Sequence, residues 1–269
     1  HYVLLTPEIT NLLRHSDIKK QAKYLIEQSG GQYEALKAFL LTWVGDIKSP
    51  VTDNLYFTRM EKNEIKKMLR PGDIILTYSA GYMSNIFLPG TFKHGIVYVG
   101  DRQSWNEQDW ASLHLSAEKR AFIHPGDDII ESVSEGVISN SMDHLLDHKV
   151  NRMVILRPKL NPAQIQKAMG MVHSYLGNGY DFSFDFNDAE TQVCTEVIYR
   201  GYNQIGELDF KLSKRAGKLN MSAEDVCRYA IDSGQMDLVT LIVEDEYRKG
   251  KPRFFAPENG VEIILGLME

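Results

Sequence analysis

Short apolar runs in the middle of the chain have the pattern of buried β-strands. The first, Asp73–Tyr78, follows a Pro-Gly turn, and the second, His94–Gly100, is bounded by glycine. Three further runs of the same kind predict strands at 129–133, 153–157 and 238–243. Together these runs predict a sheet formed by the central and late parts of the sequence.

Helical periodicity flanks the predicted strands. Apolar residues recur at helical spacing over residues 8–44, where Gly30-Gly31 divides the pattern into two or more helices. Further helices are predicted at 59–69, from Pro162 to about 176, from the region of Cys194, and from a Ser222 cap to about 232. The pattern therefore predicts an α+β fold with a mainly antiparallel sheet packed against helices.

The same patterns divide the chain into two parts. Residues 1–69 are expected to form an N-terminal helical appendage, and residues 70–269 the main domain. A polar insertion at about 101–128 separates the second predicted strand from the third and carries Trp105 and Trp110. It is long for a hairpin loop, so we expect either a functional segment or an added decoration.

Composition narrows the classes of partner. The 269 residues are 43% hydrophobic and 25% charged with a net charge of −6, so no basic surface for nucleic acid is expected. No run approaches the roughly 18–20 apolar residues of a membrane span. The chain starts at His1, which is compatible with a removed leader, so both the cell envelope or exterior and the cytoplasm remain open. The oligomeric state is not indicated.

Cys194 is the first candidate for chemistry. It is expected in the first turn of its helix, where unpaired N–H groups and the positive end of the helix dipole stabilise a thiolate. Asp188 or Thr191 is the expected cap. The alternative is a buried structural cysteine, because free cysteines are among the most buried residues. Cys227, in the middle of a predicted helix, is assigned that structural role, and two cysteines do not make a disulfide framework.

His94 and Glu131 are the candidate base and orienting acid. His94 begins a predicted strand, where its side chain is held at the end of a sheet. If the 129–133 strand pairs beside it, Glu131 meets His94 across the ladder, where opposed residues are about 5 Å apart. A carboxylate there would fix the imidazole tautomer. The alternative for both residues is a purely structural role, although an unpaired carboxylate in an apolar strand is costly to bury.

Metal and cofactor signals are weak by comparison. His144 and His148 have the i, i+4 spacing of metal ligands, but Leu145 stands where a zinc-protease motif has glutamate. The segment Asp185–Glu190 is similar to a calcium loop without its glycine. We therefore expect no metal and no cofactor.

Five fragments in one order carry a family resemblance. They are Arg70–Leu76, His94–Gly100, Ile129–Ser132, Gly179–Phe182 and Cys194–Val197. This order resembles the YiiX-like group, the circularly permuted branch of the NlpC-type papain-like cysteine hydrolases, in which the histidine precedes the cysteine. The resemblance covers about residues 70–205. The chain departs from the family pattern in its 101–128 insertion and in having Thr195, where serine is common, after the cysteine.

The resemblance implies a function and roles. Cys194 is implied as the nucleophile, His94 as the base, Glu131 as the residue that orients it, and Tyr180 as a residue that positions substrate or the oxyanion. The implied reaction is hydrolysis of an amide in a peptide, cell-wall fragment or lipid-like substrate through a thioester. One alternative is acyl transfer, as in the similar lecithin:retinol acyltransferase group, for which the apolar residues of 82–88 would be a membrane-facing loop. The other interpretation of that run is core or pocket wall. The second alternative is a non-catalytic binding module on the same fold.

Overall fold

The computed structural model describes residues 54–79, 90–101, 113, 115–148, 150–181, 186, 190–215 and 217–268. Outside these residues lie the helices predicted within 8–44, both tryptophans of the insertion and the apolar residues of 82–88. The strands are β1 Ile74–Tyr78, β2 His94–Tyr98, β3 Ile129–Val133, β4 Gly136–Asn140, β5 Arg152–Pro158, β6 Gly179–Tyr180, β7 Thr191–Gln192, β8 Ser213–Arg215, β9 Lys218–Asn220, β10 Met236–Asp245 and β11 Arg248–Phe255. The helices are α1 Arg59–Met68, α2 Ala117–Arg120, α3 Met142–His148, α4 Pro162–Ser174, α5 Cys194–Tyr202, α6 Ala223–Ser233 and α7 Pro257–Met268.

Seven strands form the central sheet in the order β11-β10-β5-β1-β2-β3-β4. Every neighbouring pair in it is antiparallel. The five strands predicted from the apolar runs are confirmed, and so is the α+β class. The sequence analysis did not predict β4, β11 or the helix α7.

Both faces of the sheet are covered, which is why its central strands read as continuous apolar runs. Successive side chains in a strand point to opposite faces, and β1 divides accordingly: Ile74 and Leu76 lie in one apolar cluster and Ile75 in the other. The first cluster contains residues of α4, α5 and α6, including Val172, Ile198 and Val226. The second contains residues of α1 and α3, including Ile65 and Leu145.

Three helices begin at capping residues, one of which, Ser222, was predicted as a cap. Thr58 and Glu61 form a reciprocal capping box at α1, and Asn161 with Gln164 does the same before the proline that starts α4. Ser222 caps α6 through the N–H of Asp225. These caps satisfy backbone donors that a helix start leaves without partners.

Residues 54–69 pack against the sheet. Leu55, Phe57 and Ile65 are buried in the second cluster, and Lys62 and Lys66 form ion pairs with Asp147 and Asp143 of α3 at 2.5 Å. The division into an appendage of 1–69 and a domain of 70–269 stays a prediction. Within the described part of the chain, no helix is both long and apolar enough to cross a bilayer.

Candidate active site

His94 and Glu131 meet on neighbouring strands. His94 is the first residue of β2, and Nε2 of its ring lies 2.7 Å from Oε2 of Glu131 on β3. The strand register pairs Glu131 with Ile96, so Glu131 lies diagonally across the ladder from His94. The direct opposition of the two residues that was expected from the sequence is therefore wrong. A side chain as long as glutamate reaches a diagonal neighbour, which lies about 7–8 Å away between Cα atoms.

Cys194 joins this pair from the start of α5. Its sulfur hydrogen-bonds the His94 ring and accepts the backbone N–H groups of Gly95 and Thr195. Because Nε2 of His94 faces Glu131, Nδ1 is the ring nitrogen left for the sulfur. Cys194 is 8% exposed and the His94 side chain 24%, while the Glu131 side chain is fully buried. Glu131 therefore lies inside, His94 is partly exposed, and Cys194 is buried apart from a small exposed fraction.

Gly95 allows the helix to approach the strand this closely. A Cβ atom at this position would lie 2.6 Å from Cδ1 of Ile198, well inside van der Waals contact. Since Gly95 also donates its N–H to Cys194, the glycine permits the packing of α5 on β2 and contributes to the thiolate's surroundings.

The electrostatics favour an ion pair between the cysteine and the histidine. Burial lowers the pKa of His94, but the charge and hydrogen bond of Cys194, followed by those of Glu131, raise it overall to about 10. Burial raises the pKa of Cys194, but the charge of His94 and the hydrogen bonds from His94, Gly95 and Thr195 lower it overall. A thiolate beside an imidazolium is the form that follows from these opposite shifts.

Buried polar contacts hold the segment that leads into Cys194. Ser132, the neighbour of Glu131 on β3, donates its hydroxyl to the carbonyl of Gln192 at 2.6 Å. Asn178 donates its side-chain amide to Oε1 of Gln192 at 2.9 Å. The side chain of Gln192 is itself buried, two residues before the cysteine. Isolated polar residues give no periodic signal, so no role was predicted from the sequence for Ser132, Asn178 or Gln192.

Tyr180 lies beside the same segment, since β6 pairs in parallel with β7 and sets Tyr180 against Gln192. Burial raises the pKa of the Tyr180 phenol above its ordinary range, and the charges of Cys194 and Asp181 raise it further. The phenol is therefore protonated throughout the working range of a thiol.

Glu196 begins a second charged cluster, one turn along α5. Its carboxylate is fully buried, pairs with Arg200 at 2.6 Å, and accepts the N–H of Val193 at 3.4 Å. Burial raises the pKa of Glu196 to about 7, against the opposing hydrogen bond and charge of Arg200. Val193 is the N-cap of the helix and has no side-chain cap bond. The expectation of a Thr191 or Asp188 cap is therefore wrong, because the helix starts later and Glu196 takes over part of the capping.

The other candidates of the sequence lie apart. The rings of His144 and His148 are 4.9 Å apart, but the described residues contain no group of three or more His, Cys, Asp or Glu suited to hold a metal. Cys227 is fully buried in α6, and burial raises the pKa of its thiol to about 12. Most of Asp185–Glu190 lies outside the described residues.

In the described chain, the strands with His94 and Glu131 precede the helix with Cys194, and the three side chains meet at one end of an antiparallel sheet. Such an order on this fold is that of a circularly permuted papain-like protein. The chain belongs to the family described as permuted papain-like amidase enzyme, YaeF/YiiX, C92 family, whose model matches residues 68–247. The resemblance seen in the sequence is thereby confirmed, together with the permuted papain-like fold class and, at the level of the family, amidase function.

A solved structure is also similar. It is the crystal structure of the metalloprotein YiiX from Escherichia coli O157:H7, at 20% identity and a TM-score of 0.46, over 64% of this chain and 97% of that one. No curated protein matches the chain.

Proposed function

We propose that this chain is a cysteine amidase in which Cys194 is the nucleophile, His94 the acid and base, and Glu131 the residue that orients His94. The observation that carries the proposal is the contact of one imidazole with both partners, the Cys194 sulfur on one side and the Glu131 carboxylate on the other. An activated nucleophile needs both a base within hydrogen-bond reach and a group that holds that base.

The reaction follows from the positions of the protons. The Cys194 thiolate attacks the carbonyl carbon of the amide, and the negative charge moves to the carbonyl oxygen. His94 then gives its proton to the nitrogen as the C–N bond breaks, which leaves a thioester on Cys194 and releases an amine. Water attacks the thioester and gives one proton to His94. The acid departs as the thiolate is restored.

The oxyanion needs donors that do not ionise. The backbone N–H of Thr195, in the first turn of α5, points toward the nucleophile, since it bonds the Cys194 sulfur. Tyr180, held protonated by its surroundings, is the side chain assigned as a further donor or a contact for substrate. The substrate class is an amide with a peptide, cell-wall or acyl portion.

The test uses two reagents that require no knowledge of the substrate. Iodoacetamide forms a C–S bond with a thiolate as iodide leaves, and mass spectrometry reports the modified cysteine. We expect Cys194 to react much faster than Cys227 near neutral pH, and His94→Ala to abolish the difference. p-Nitrophenyl acetate should give a burst of p-nitrophenolate and an acetyl group on Cys194. The burst should be lost in Cys194→Ala and retained in Cys227→Ala.

Equal, slow alkylation of both cysteines with no burst would refute the proposal and favour a binding module. A burst whose acyl group passes to an added amine or alcohol in preference to water would favour acyl transfer instead of hydrolysis.

A further inference from the structure

The buried carboxylate of Glu131 has a partner on each of its two oxygens. Oε2 contacts Nε2 of His94 at 2.7 Å, and Oε1 accepts the side-chain amide of Asn140 at 2.8 Å. Asn140 is the last residue of β4, on the side of β3 away from His94. Its contact with Glu131 is a direct one within the proposed site, and the reaction described above gives it no role.

The strand registers place these three residues on one diagonal. Glu131 opposes Ile96 on β2, so His94 is offset from it by two residues toward one end of β3. Glu131 opposes Ile138 on β4, and Asn140, opposite Ile129, is offset by two residues toward the other end. Since offsets of two keep a side chain on the same face, the three side chains form a line across three adjacent strands.

The orientation of the Asn140 amide is fixed by its other end. Its Oδ1 accepts the backbone N–H of Ser141 at 2.8 Å, so its nitrogen is the atom that faces Glu131. Its own carbonyl accepts the N–H of Asp128 at 3.0 Å. Asn140 is thus held by backbone contacts while it donates to the carboxylate.

We propose that Asn140 is a positioning residue that holds the Glu131 carboxylate in the orientation that contacts His94. A carboxylate bound through one oxygen only can turn about its terminal torsion, which is broad. A donor on the second oxygen fixes the plane of the carboxylate and favours its ionised form in a buried place. The inference rests on the proposed function, because it concerns the group that orients the base.

Asn140→Asp separates this role from a structural one. Aspartate keeps an acceptor for the Ser141 N–H but replaces the donor by a second carboxylate beside Glu131. Like charges raise the pKa of one of the two carboxyl groups, so Glu131 takes up a proton more readily and stabilises the imidazolium less. Asn140→Ala removes donor and acceptor together and adds no charge. Asn161→Asp is the matched control, since Asn161 caps α4 through its Oδ1, far along the chain from the site.

The measurement is the second-order rate of Cys194 alkylation by iodoacetamide across pH, followed by mass spectrometry. In the natural protein the rate rises with pH as the thiolate forms and then levels off. In Asn140→Asp we expect this rise at a pH about one unit higher, which is about a tenfold lower rate on the rising part of the curve. Asn140→Ala should shift the curve in the same direction by less, and Asn161→Asp should leave it in place.

Curves for both Asn140 variants that superimpose on the natural curve would overturn the inference. If Asn140→Asp does not fold, Asn140→Ala alone decides, by a shifted or an unshifted curve. The proposed function fails separately, if Cys194 of the natural protein reacts no faster than Cys227 near neutral pH.

Discussion

Replacing Glu131 by glutamine tests the electrostatics of the site with the least change of shape. Glutamine has the same size but only one oxygen. The imidazolium of His94 donates from Nε2, so the amide must turn its oxygen toward His94. Its NH2 group then faces the NH2 group of Asn140, which donates to Glu131 in the natural protein. The substitution therefore removes the negative charge and leaves two donors in contact.

The size of the effect follows from the contact that is lost. A hydrogen bond to a charged group contributes about 1.5–3 kcal/mol, and one pKa unit corresponds to 1.36 kcal/mol, so the pKa of His94 should fall by about one to two units. Starting from about 10, it should come to roughly 8–9. Cys194 contributes more than Glu131 to the raised pKa of His94, so Cys194→Ala should lower it further than Glu131→Gln does.

The direct assay is an NMR titration of the His94 ring in the natural protein and in both variants. Expulsion of an amine needs the His94 proton, so amide cleavage should decline as pH rises through about 10 in the natural protein. In Glu131→Gln the decline should begin about one to two pH units lower. Glu135→Gln, which changes an exposed carboxylate after the same strand, is the control. A His94 pKa that stays near 10 in Glu131→Gln would refute the assigned role of Glu131.

Three further substitutions test how the nucleophile is held. Ser132→Ala removes a buried neutral hydrogen bond to the segment before Cys194, so stability should fall by about 1 kcal/mol and alkylation should slow. Ser134→Ala, at a half-buried residue whose hydroxyl donates to the exposed Glu135, should change neither. Gly95→Ala places a methyl group 2.6 Å from Cδ1 of Ile198, so the free energy of unfolding measured in urea should fall by about 1–3 kcal/mol and alkylation of Cys194 should slow. Unchanged stability would contradict the tight packing of the helix on the strand. The folded-state pKa of Glu196, about 7, lies above its ordinary value of 4.5, so its stabilising effect is complete below 4.5 and is lost as pH rises through 7. The free energy of unfolding of Glu196→Gln, relative to that of the natural protein, should therefore rise by up to about 3 kcal/mol between about pH 5 and pH 8. Parallel pH profiles of stability for the two proteins would contradict this.

The sequence predicted those parts of the fold whose signal is local. The inner strands are apolar because both faces are buried, and the starts of α1, α4 and α6 have side chains that cap them. By contrast β11, Arg248–Phe255, is charged and contains Gly250 and Pro252, which argue against a strand. It lies at the edge of the sheet, where charge and proline are tolerated and discourage further pairing.

The C-terminal helix α7 was missed for a related reason. Asn259-Gly260 near its start reads as a turn signal. In the structure Gly260 packs against the sheet, where a Cβ atom would lie 2.7 Å from Cδ2 of Leu238. The small residue is needed for a close approach of helix and strand, which a single sequence does not distinguish from a turn.

Of the candidate site, the sequence supplied the residue types but not the register. Glu131 stood out because an ionised group in an apolar strand needs a partner, and His94 stood out by its place at the end of a strand. The two-residue diagonal between them depends on how β2 and β3 align. The hydrophobic pattern specifies which face is buried, and it does not distinguish alignments that differ by two residues.

The long insertion between β2 and β3 does not disturb the diagonal contact of His94 with Glu131, because it is attached at the far end of the two strands. It departs after Tyr98 and returns at Ile129, and these residues are paired at the end of the ladder away from His94. Tyr98 lies four positions after His94, about 13 Å along the strand. Lengthening a loop raises its closure entropy only slowly, so the strands can pair across many inserted residues.

The described part of the insertion also contacts the region before Cys194. Lys119 of α2 donates to the carbonyl of Leu176 at 2.6 Å and to Oδ1 of Asn178 at 2.8 Å. Asn178 in turn holds Gln192, two residues before Cys194. Through Lys119 the insertion is thus connected to the segment before Cys194, so changes at Lys119 should alter the reactivity of Cys194 before they alter the contact between His94 and Glu131.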